Sequence, residues 1–359
     1  VDLRLLDGAE LDLVQPHLEA RPRLHGVDIC LVLGVVRLVS FHIQLSHSNS
    51  KGDSSHGIPG APTELSCKTE KTEKPGIDEL PILMPFDRSR MGKRGYLRKE
   101  NLFIHKANFL RYHSSTVFKS RNFAANATEI WSKYAWDRCA LVGNSGSLLS
   151  ADFGKEINEH DIVIRFNQAP TKGFEKFVGN RTTFRVLNAL WTNIYAKNVK
   201  LNKDGSLDSR VNIRLGEIRS IPLEMDATLI ISRTSVENFN FVYSALQKKR
   251  MDVRLLLLAP RVVTAAKWLL NEYRRLLCTH GYGPYTGGHT PSSGFVAIFV
   301  LLQLCKDIDL YGFGDSGLSA RYHYYTGGGH RNSGNIVHSW VLEMEMIEAL
   351  HRNDLLKIH

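Results

Sequence analysis

The sequence predicts an α/β fold, with a largely parallel central sheet and helices on both of its faces. Two observations predict this class. Short apolar runs alternate along the chain with longer segments of helical periodicity, a pattern typical of strands joined by crossover helices. Polar and glycine-rich turns directly follow several of these runs, and ligands of such sheets bind at the carboxyl ends of the strands. That edge of the sheet is therefore the expected place of a binding site.

The individual elements are predicted from the length and composition of each run. Apolar runs of strand length, interpreted as buried strands, lie at 139–143, 161–166, 227–232, 253–258 and 307–311. Longer runs with apolar side chains at helical spacing lie at 262–277, 294–305 and 338–355.

The composition is that of an ordinary globular protein. The 359 residues are 43% hydrophobic and 23% charged, which suits one large domain with extensions or two smaller domains. A formal net charge of +10 is compatible with an anionic substrate but names none. No run interleaves basic with aromatic residues as the platforms that bind single-stranded nucleic acid do, so we predict no nucleic-acid partner.

Three regions are predicted along the chain. Residues 1–45 are expected to be a leader, in which the apolar run 29–45 is a candidate signal-anchor with Arg21 and Arg23 before it. That run carries Arg37 and is short against the roughly 20 apolar residues of a membrane span, so an unstructured leader is the alternative. Residues 46–85 begin with a stretch rich in Ser, Gly, Pro, Lys and Thr and are predicted to form a stem or linker. The folded domain is expected at 86–359.

The first informative segment is 139–188. Its first predicted strand runs into the turn GNSG, where glycine lets the backbone approach a ligand and Asn144 offers an amide. The next strand ends before Asn167, which places a second amide at the same edge. Two amides, each a donor and an acceptor, could read the ribose and base of a nucleotide. A plain strand-to-helix turn would explain GNSG by itself, because the three-glycine spacing of dinucleotide sites is absent.

The other informative segments lie near the carboxyl end of the chain. Ser292, Ser293 and Gly294 precede a strongly apolar helix, and hydroxyl and N–H groups at a helix start either bind phosphate or form an ordinary N-cap. His323 lies in the aromatic run RYHYYT. His338 begins the last predicted helix, and Glu343 follows five positions later. At 100° per residue the two are about 140° apart, so Glu343 is expected to be a supporting residue.

Together and in this order, these segments resemble the four sialylmotifs of eukaryotic sialyltransferases, glycosyltransferase family 29. The segment 139–188 resembles the large motif, and PSSG…LC…DLYGFG resembles the small motif. YHYY resembles the third motif, and the spacing from His338 to Glu343 is that of the very small motif. The resemblance spans residues 135–348, and its texture is closest to plant and algal sialyltransferase-like proteins. It implies a variant GT-A fold, a Rossmann-like α/β/α sandwich.

The resemblance also implies the role of each residue. The implied donor-binding residues are Asn144, Asn167, Ser292, Ser293, Gly294 and Gly314. His338 is implied as the general base and His323 as the support of the donor phosphate. Of the five cysteines, none of which forms a Cys-x-x-Cys pair, Cys139 and Cys305 are implied as a disulfide between the two donor-binding motifs. Composition alone favours free thiols, and Cys30, Cys67 and Cys278 receive no partner.

The activity so implied is an inverting transfer of sialic acid, or a related acidic sugar such as Kdo, from a CMP-sugar to a glycan hydroxyl. The acceptor would be carried by a glycoprotein, glycolipid or polysaccharide. No metal or other cofactor is expected, and the implied location is the Golgi membrane with a lumenal catalytic domain. Asn126 begins an N-glycosylation sequon and is a candidate site for that modification. Thr326 departs from the acidic or amide residue that ends the third motif in many relatives.

Three other classes of protein are weighed against this one. The run GDSG at 314–317 resembles the nucleophile motif of trypsin-like proteases, but Lys267 stands where their histidine would have to be. A dinucleotide oxidoreductase would need the spacing GxGxxG, which GNSGSL does not supply. A catalytically inactive sialyltransferase-like protein that binds a nucleotide or glycan stays open, although the presence of both His323 and His338 favours an enzyme.

Overall fold

A single eight-stranded sheet organises the part of the chain that the computed structural model describes, residues 76–77, 80, 97–112, 122–196, 224–247, 250–313, 321–325 and 337–359. The strands are β1 (Phe103–Ile104), β2 (Arg138–Val142), β3 (Ile162–Phe166), β4 (Phe184–Leu187), β5 (Thr228–Ile231), β6 (Arg254–Leu258), β7 (Asp307–Tyr311) and β8 (Lys357–Ile358). Their order in the sheet is β1-β6-β5-β4-β3-β2-β7-β8. All neighbours are parallel except β1 and β6.

The strand order reverses at β2. From β2 the chain proceeds strand by strand to β6 on one side, and it then returns to place β7 on the other side of β2. The connections that leave β2 and β7 therefore diverge, which opens a crevice above the carboxyl ends of these two strands. The register across this junction pairs Cys139 with Ile308 and Val142 with Tyr311.

Helices cover both faces of the sheet. The α-helices are α1 (Ala127–Trp131), α2 (Gly154–Asn158), α3 (Glu175–Val178), α4 (Ala189–Ala196), α5 (Val236–Gln247), α6 (Pro260–Thr279), α7 (Ser293–Leu304) and α8 (Trp340–Arg352). Successive residues of β2 point to opposite faces: Leu141 belongs to the core that also contains α6, α7 and α8, and Val142 to the core beneath α2 and α3. The predicted α/β sandwich with a largely parallel sheet is confirmed.

The predicted elements agree with the structure to within three residues at every boundary, and one of these small differences has a consequence for the site. All five predicted strands are present, as β2, β3, β5, β6 and β7, and the three predicted helices are α6, α7 and α8. The prediction that His338 begins the last helix is wrong. That helix starts at Trp340 with Ser339 as its N-cap residue, so His338 lies in the preceding loop. The 140° angle between His338 and Glu343, which assumed one continuous helix, does not apply.

A disulfide joins Cys139, in β2, to Cys305, the residue that ends α7. It closes a sequence separation of 166 residues and connects the two segments that flank the crevice. Cys278 is also disulfide-bonded, and the remaining cysteines, Cys30 and Cys67, are outside the described residues.

Several predictions fall outside the described residues: the leader and its candidate anchor, most of the stem, Gly314 and Thr326. None of the helices within the described ranges combines the length and apolar character that a membrane span requires.

Candidate active site

A cleft lies above the carboxyl ends of the parallel strands, at the crevice where the strand order reverses. The turns that follow β2, β3, β4 and β7 contribute Asn144, Asn167, Asn188 and Phe313 to its lining. The amino-terminal ends of α7 and α8 supply the opposite wall, with Ser292–Gly294 on one and Trp340 and Glu343 on the other. His323 and His338 line the same cleft. The donor-binding and catalytic residues expected from the sequence therefore lie together, among those that the structure describes; Gly314 is outside the described residues.

The backbones that leave β2 and β7 approach each other closely at the floor of the cleft. The Gly143 N–H donates to Tyr311 O at 2.7 Å, and a Cβ atom on Gly143 would lie only 2.5 Å from Gly312 O. Because real Cβ atoms do not approach backbone oxygens so closely, only glycine is accommodated at 143 without a shift of the chain. The contact fixes where the turn GNSG leaves β2, and Gly143, Asn144 and Ser145 line the cleft there.

Asn144 presents an unsatisfied acceptor in this turn. Its backbone oxygen accepts from Tyr324 N at 3.0 Å, which connects the third motif to the first. Its side-chain Oδ1 is buried and accepts no hydrogen bond within the described part of the chain. A buried amide oxygen without a donor is costly, so a ligand hydroxyl or amine at this position would be favoured.

The position of the Asn167 side chain depends on an uncommon backbone conformation. It has a φ of 49°, in the left-handed region that asparagine tolerates better than most residues. Its side-chain Oδ1 accepts from Asn188 N at 3.1 Å, and its backbone oxygen accepts from Arg185 at 2.9 Å. Sequence reasoning missed Asn188, although a polar residue after a third neighbouring strand was the signal that could have identified it.

The start of α7 is compatible with both alternatives considered for Ser292, an ordinary N-cap and a phosphate site. Ser292 is an N-cap, since its Oγ accepts from Phe295 N at 3.0 Å. Ser293 and Gly294 follow in the first turn, where backbone N–H groups have no intrahelical acceptor. Both line the cleft. Their N–H groups and the positive end of the α7 dipole are thus available to an anion.

Two charged side chains fix the peptide that precedes this helix. Glu343 is only 3% exposed, and its Oε1 accepts from Ser292 N at 2.7 Å. Arg233 donates to Pro291 O, which belongs to the same peptide bond. Glu343 therefore positions the α7 start, as its expected supporting role requires. Sequence reasoning did not identify Arg233, for which the only signal was a basic residue just after β5.

His338 is oriented by the loop before α7. Its Nδ1 lies 2.6 Å from Thr290 O, so Nδ1 carries the proton and the lone pair of the neutral ring is on Nε2. The same loop also approaches the backbone of His338 at Gly287, where a Cβ atom would lie 2.4 Å from His338 O. Burial and the charge of Arg233 lower the pKa of His338, although the bond to Thr290 opposes them. The ring is therefore mostly unprotonated near neutral pH.

His323 is half-buried and stacks on Tyr325, with ring centroids 5.0 Å apart and planes 6° from parallel. Burial lowers its pKa to about 4, so the ring is neutral near neutral pH. An anion beside the ring would reverse this preference, because a nearby negative charge favours the protonated form.

Other predictions concern residues away from the cleft. Asn126 is exposed and caps α1, where its Oδ1 accepts from Glu129 N at 3.0 Å. Its glycosylation stays a prediction. Within the described ranges, no three His, Cys, Asp or Glu side chains are grouped as metal ligands.

The fold and the cleft define an α/β protein whose ligand would be bound by amides, helix N–H groups and two histidines, an arrangement suited to a nucleotide. The chain matches glycosyltransferase family 29 (sialyltransferase) over residues 88–355 and belongs to that family. The family expected from the motifs is thus confirmed.

Relatives named as sialyltransferases match parts of the chain. The mouse CMP-N-acetylneuraminate-beta-galactosamide-alpha-2,3-sialyltransferase 1 is 30% identical over 219 residues, covering 59% of this chain and 56% of the relative. The chicken beta-galactoside alpha-2,6-sialyltransferase 2 is 30% identical over 179 residues, covering 50% and 31%. The match to the mouse enzyme thus spans about half the relative's length. A crystal structure of a mammalian sialyltransferase shares 21% identity with a TM-score of 0.48, covering 77% of this chain and 91% of that one.

Proposed function

We propose that this protein transfers sialic acid from CMP-sialic acid to a hydroxyl of a glycan that ends in a β-galactoside, with inversion at the anomeric carbon. Family membership and the names of the relatives support the donor, the reaction and the acceptor class. The observation that carries the proposal is the orientation of His338, whose Nδ1 is bonded to Thr290 O while the ring lines the cleft.

The donor would bind across the carboxyl ends of the strands. Asn144 Oδ1, a buried acceptor without a donor, and the amide of Asn167 would bind the cytidine. The phosphate would lie against the first turn of α7, where the N–H groups of Ser293 and Gly294 and the helix dipole favour negative charge. His323 would supply a further donor once protonated. These groups would stabilise the charge that develops on the departing CMP without a metal.

The chemical step needs one proton transfer. His338 Nε2 would take the proton of the acceptor hydroxyl as its oxygen forms a bond to the anomeric carbon. The bond from that carbon to the phosphate oxygen breaks, and CMP leaves with the electron pair. The lowered pKa of His338 favours the basic form of the ring at the pH of secretory compartments. We place the enzyme in the Golgi membrane with a lumenal catalytic domain, as the family and the Asn126 sequon support.

The test is release of CMP from CMP-Neu5Ac or CMP-Kdo by the full chain, with and without lactose, N-acetyllactosamine or Gal-β-1,3-GalNAc. We expect release from CMP-Neu5Ac that depends on an acceptor and is lost in His338→Ala. His351→Ala is the matched control, because His351 is exposed near the end of α8.

Other outcomes would revise the proposal in different ways. Release from CMP-Kdo alone would change the donor and leave the reaction type intact. Release from neither donor, by a protein that CMP still protects against thermal unfolding, would identify a nucleotide-binding protein without transferase activity. Unchanged turnover in His338→Ala would remove the proposed base.

A further inference from the structure

An unbroken row of aromatic rings connects the two histidines of the cleft. His323 lies 4.4 Å from Tyr322 between ring centroids, and Tyr322 lies 6.4 Å from Trp340 in an edge-to-face arrangement. Trp340 in turn lies 5.0 Å from His338. Tyr322 and Trp340, called the aromatic pair below, both line the cleft. The family motifs did not assign a role to either residue.

The aromatic pair is accompanied by exposed apolar surface. Tyr322 is 40% exposed, and Val337 and Val341, which flank Trp340 in sequence, are 44% and 46% exposed. Three of the eight large hydrophobic residues that are exposed in the described part of the chain are therefore Tyr322 of the cleft and two residues within three positions of Trp340. Exposed apolar groups concentrated beside a polar cleft are typical of a binding surface.

The position of His338 restricts which substrate can reach the pair. The donor phosphate is expected at the start of α7, where the N–H groups and the helix dipole lie. The acceptor hydroxyl must come within hydrogen-bonding distance of His338 Nε2, and Trp340 is in ring contact with that histidine. A sugar ring whose hydroxyl is presented to His338 would therefore lie against the aromatic pair.

We propose that Tyr322 and Trp340 bind the terminal galactose of the acceptor by stacking against its apolar face, an inference that rests on the function proposed above. The axial C4 hydroxyl of galactose leaves the C–H groups of C3, C4 and C5 as one apolar patch on the opposite face. Such a patch suits a flat aromatic surface, and the hydroxyls at the ring edge stay free for polar contacts. The pair would thereby orient the acceptor hydroxyl toward His338.

Initial-rate kinetics of the full chain test this assignment. In Trp340→Ala we expect the KM for the accepted β-galactoside to rise by about tenfold, the loss typical of one aromatic contact, while the KM for CMP-Neu5Ac changes by less than about twofold. Tyr322→Ala should act in the same direction. Trp340→Phe should retain most of the affinity, and Trp340→Leu, which keeps an apolar side chain without a ring, should not.

Phe241→Ala is the matched control, since it removes an aromatic ring that is 59% exposed on α5 and does not line the cleft. Protection by CMP against thermal unfolding establishes that each variant still folds and binds nucleotide. An increase in the donor KM alone, a fall in kcat without a change in the acceptor KM, or no change at all would each overturn the assignment.

Hydrolysis of the donor by water distinguishes a failure of this inference from a failure of the proposed function. Wild-type protein that hydrolyses CMP-Neu5Ac but transfers to no β-galactoside would overturn the galactose assignment and leave the donor chemistry standing. Wild-type protein that neither hydrolyses nor transfers would instead refute the proposed function.

Discussion

Burial is the main influence on the protonation of the two histidines. Burial lowers the pKa of both, and Arg233 lowers the pKa of His338 further. For a base the direction is favourable, because the neutral form then persists to lower pH. For His323, which would bind the donor phosphate, the lowered pKa is unfavourable because a neutral ring has no charge to attract an anion. A bound phosphate should raise that pKa, so we expect His323 to gain a proton when CMP binds.

Replacing Arg233 with alanine removes the positive charge near His338. The pKa of His338 should rise, so the acidic limb of the kcat/KM profile should move to higher pH. Because the bond to Pro291 O is also lost, we expect kcat/KM on its plateau to fall by about tenfold. Arg233→Lys retains the charge and should keep the limb near its original position. A limb that stays in place in Arg233→Ala would show that this charge does not influence the base.

Proton uptake at His323 is the second prediction at this scale. Its pKa of about 4 leaves it neutral at pH 6, and a bound phosphate should raise that pKa. Calorimetry of CMP binding at pH 6, in buffers of different ionisation enthalpy, should report more protons taken up by wild type than by His323→Asn. The protonation of CMP itself is common to both proteins and cancels in the difference. Equal uptake would place the phosphate away from His323.

At the scale of elements, α7 connects the cleft to the core. Its first turn lines the cleft, its apolar body lies in the larger core, and Cys305, the cap residue that follows it, is disulfide-bonded to Cys139 of β2. Glu343 accepts from the Ser292 N–H at its start. The helix is therefore fixed at both ends by residues distant in sequence.

The double variant Cys139→Ala/Cys305→Ala tests the fixation at the carboxyl end. Opening a loop closed over 166 residues should lower the free energy of unfolding by about 2–5 kcal/mol. Denaturant unfolding of the double variant measures this loss. A reductant would not isolate it, because Cys278 is also disulfide-bonded. An unchanged midpoint of unfolding would mean that core packing alone determines the position of α7.

Strands and helices were predictable from the sequence where the local pattern of apolar residues was clear. The strand β6 and the helix α7 are strongly apolar, and both were predicted. The strand β4 was missed because Arg185 leaves only two consecutive apolar residues in a strand of four, whereas Arg165 of β3 follows three apolar residues. β1 and β8 were missed because two residues give no pattern.

The residues of the candidate site likewise fall into those that the sequence predicted and those that it did not. Motif resemblance supplied His323, His338 and the residues of the two donor segments. Arg233, Asn188 and Trp340 were missed because their positions depend on contacts between segments far apart in the sequence. A basic residue after a strand has no special meaning until the fold places it beside Pro291.

At the scale of the whole molecule, the missed β4 contains a buried charge that connects the sheet to the cleft. Arg185 is fully buried and lies in register with Arg165 of β3. Its guanidinium pairs with Glu224, which precedes β5, and donates to the backbone oxygens of Asn167 and Ala169. One buried cation therefore spans three neighbouring strands and fixes the turn that presents Asn167.

Replacing Glu224 should show how much the buried ion pair contributes to the free energy of unfolding. Glu224→Ala leaves Arg185 buried without its counter-ion, and we expect the free energy of unfolding to fall by about 3–5 kcal/mol. The double variant Arg185→Leu/Glu224→Leu should recover much of this loss, because it removes the Arg185 charge together with its counter-ion and also removes the repulsion between Arg185 and the buried Arg165. It should nevertheless bind CMP more weakly than wild type, since the Asn167 turn loses the bond from Arg185. If the double variant recovers stability and also binds CMP like wild type, the buried pair serves the sheet alone and the turn is fixed by other contacts.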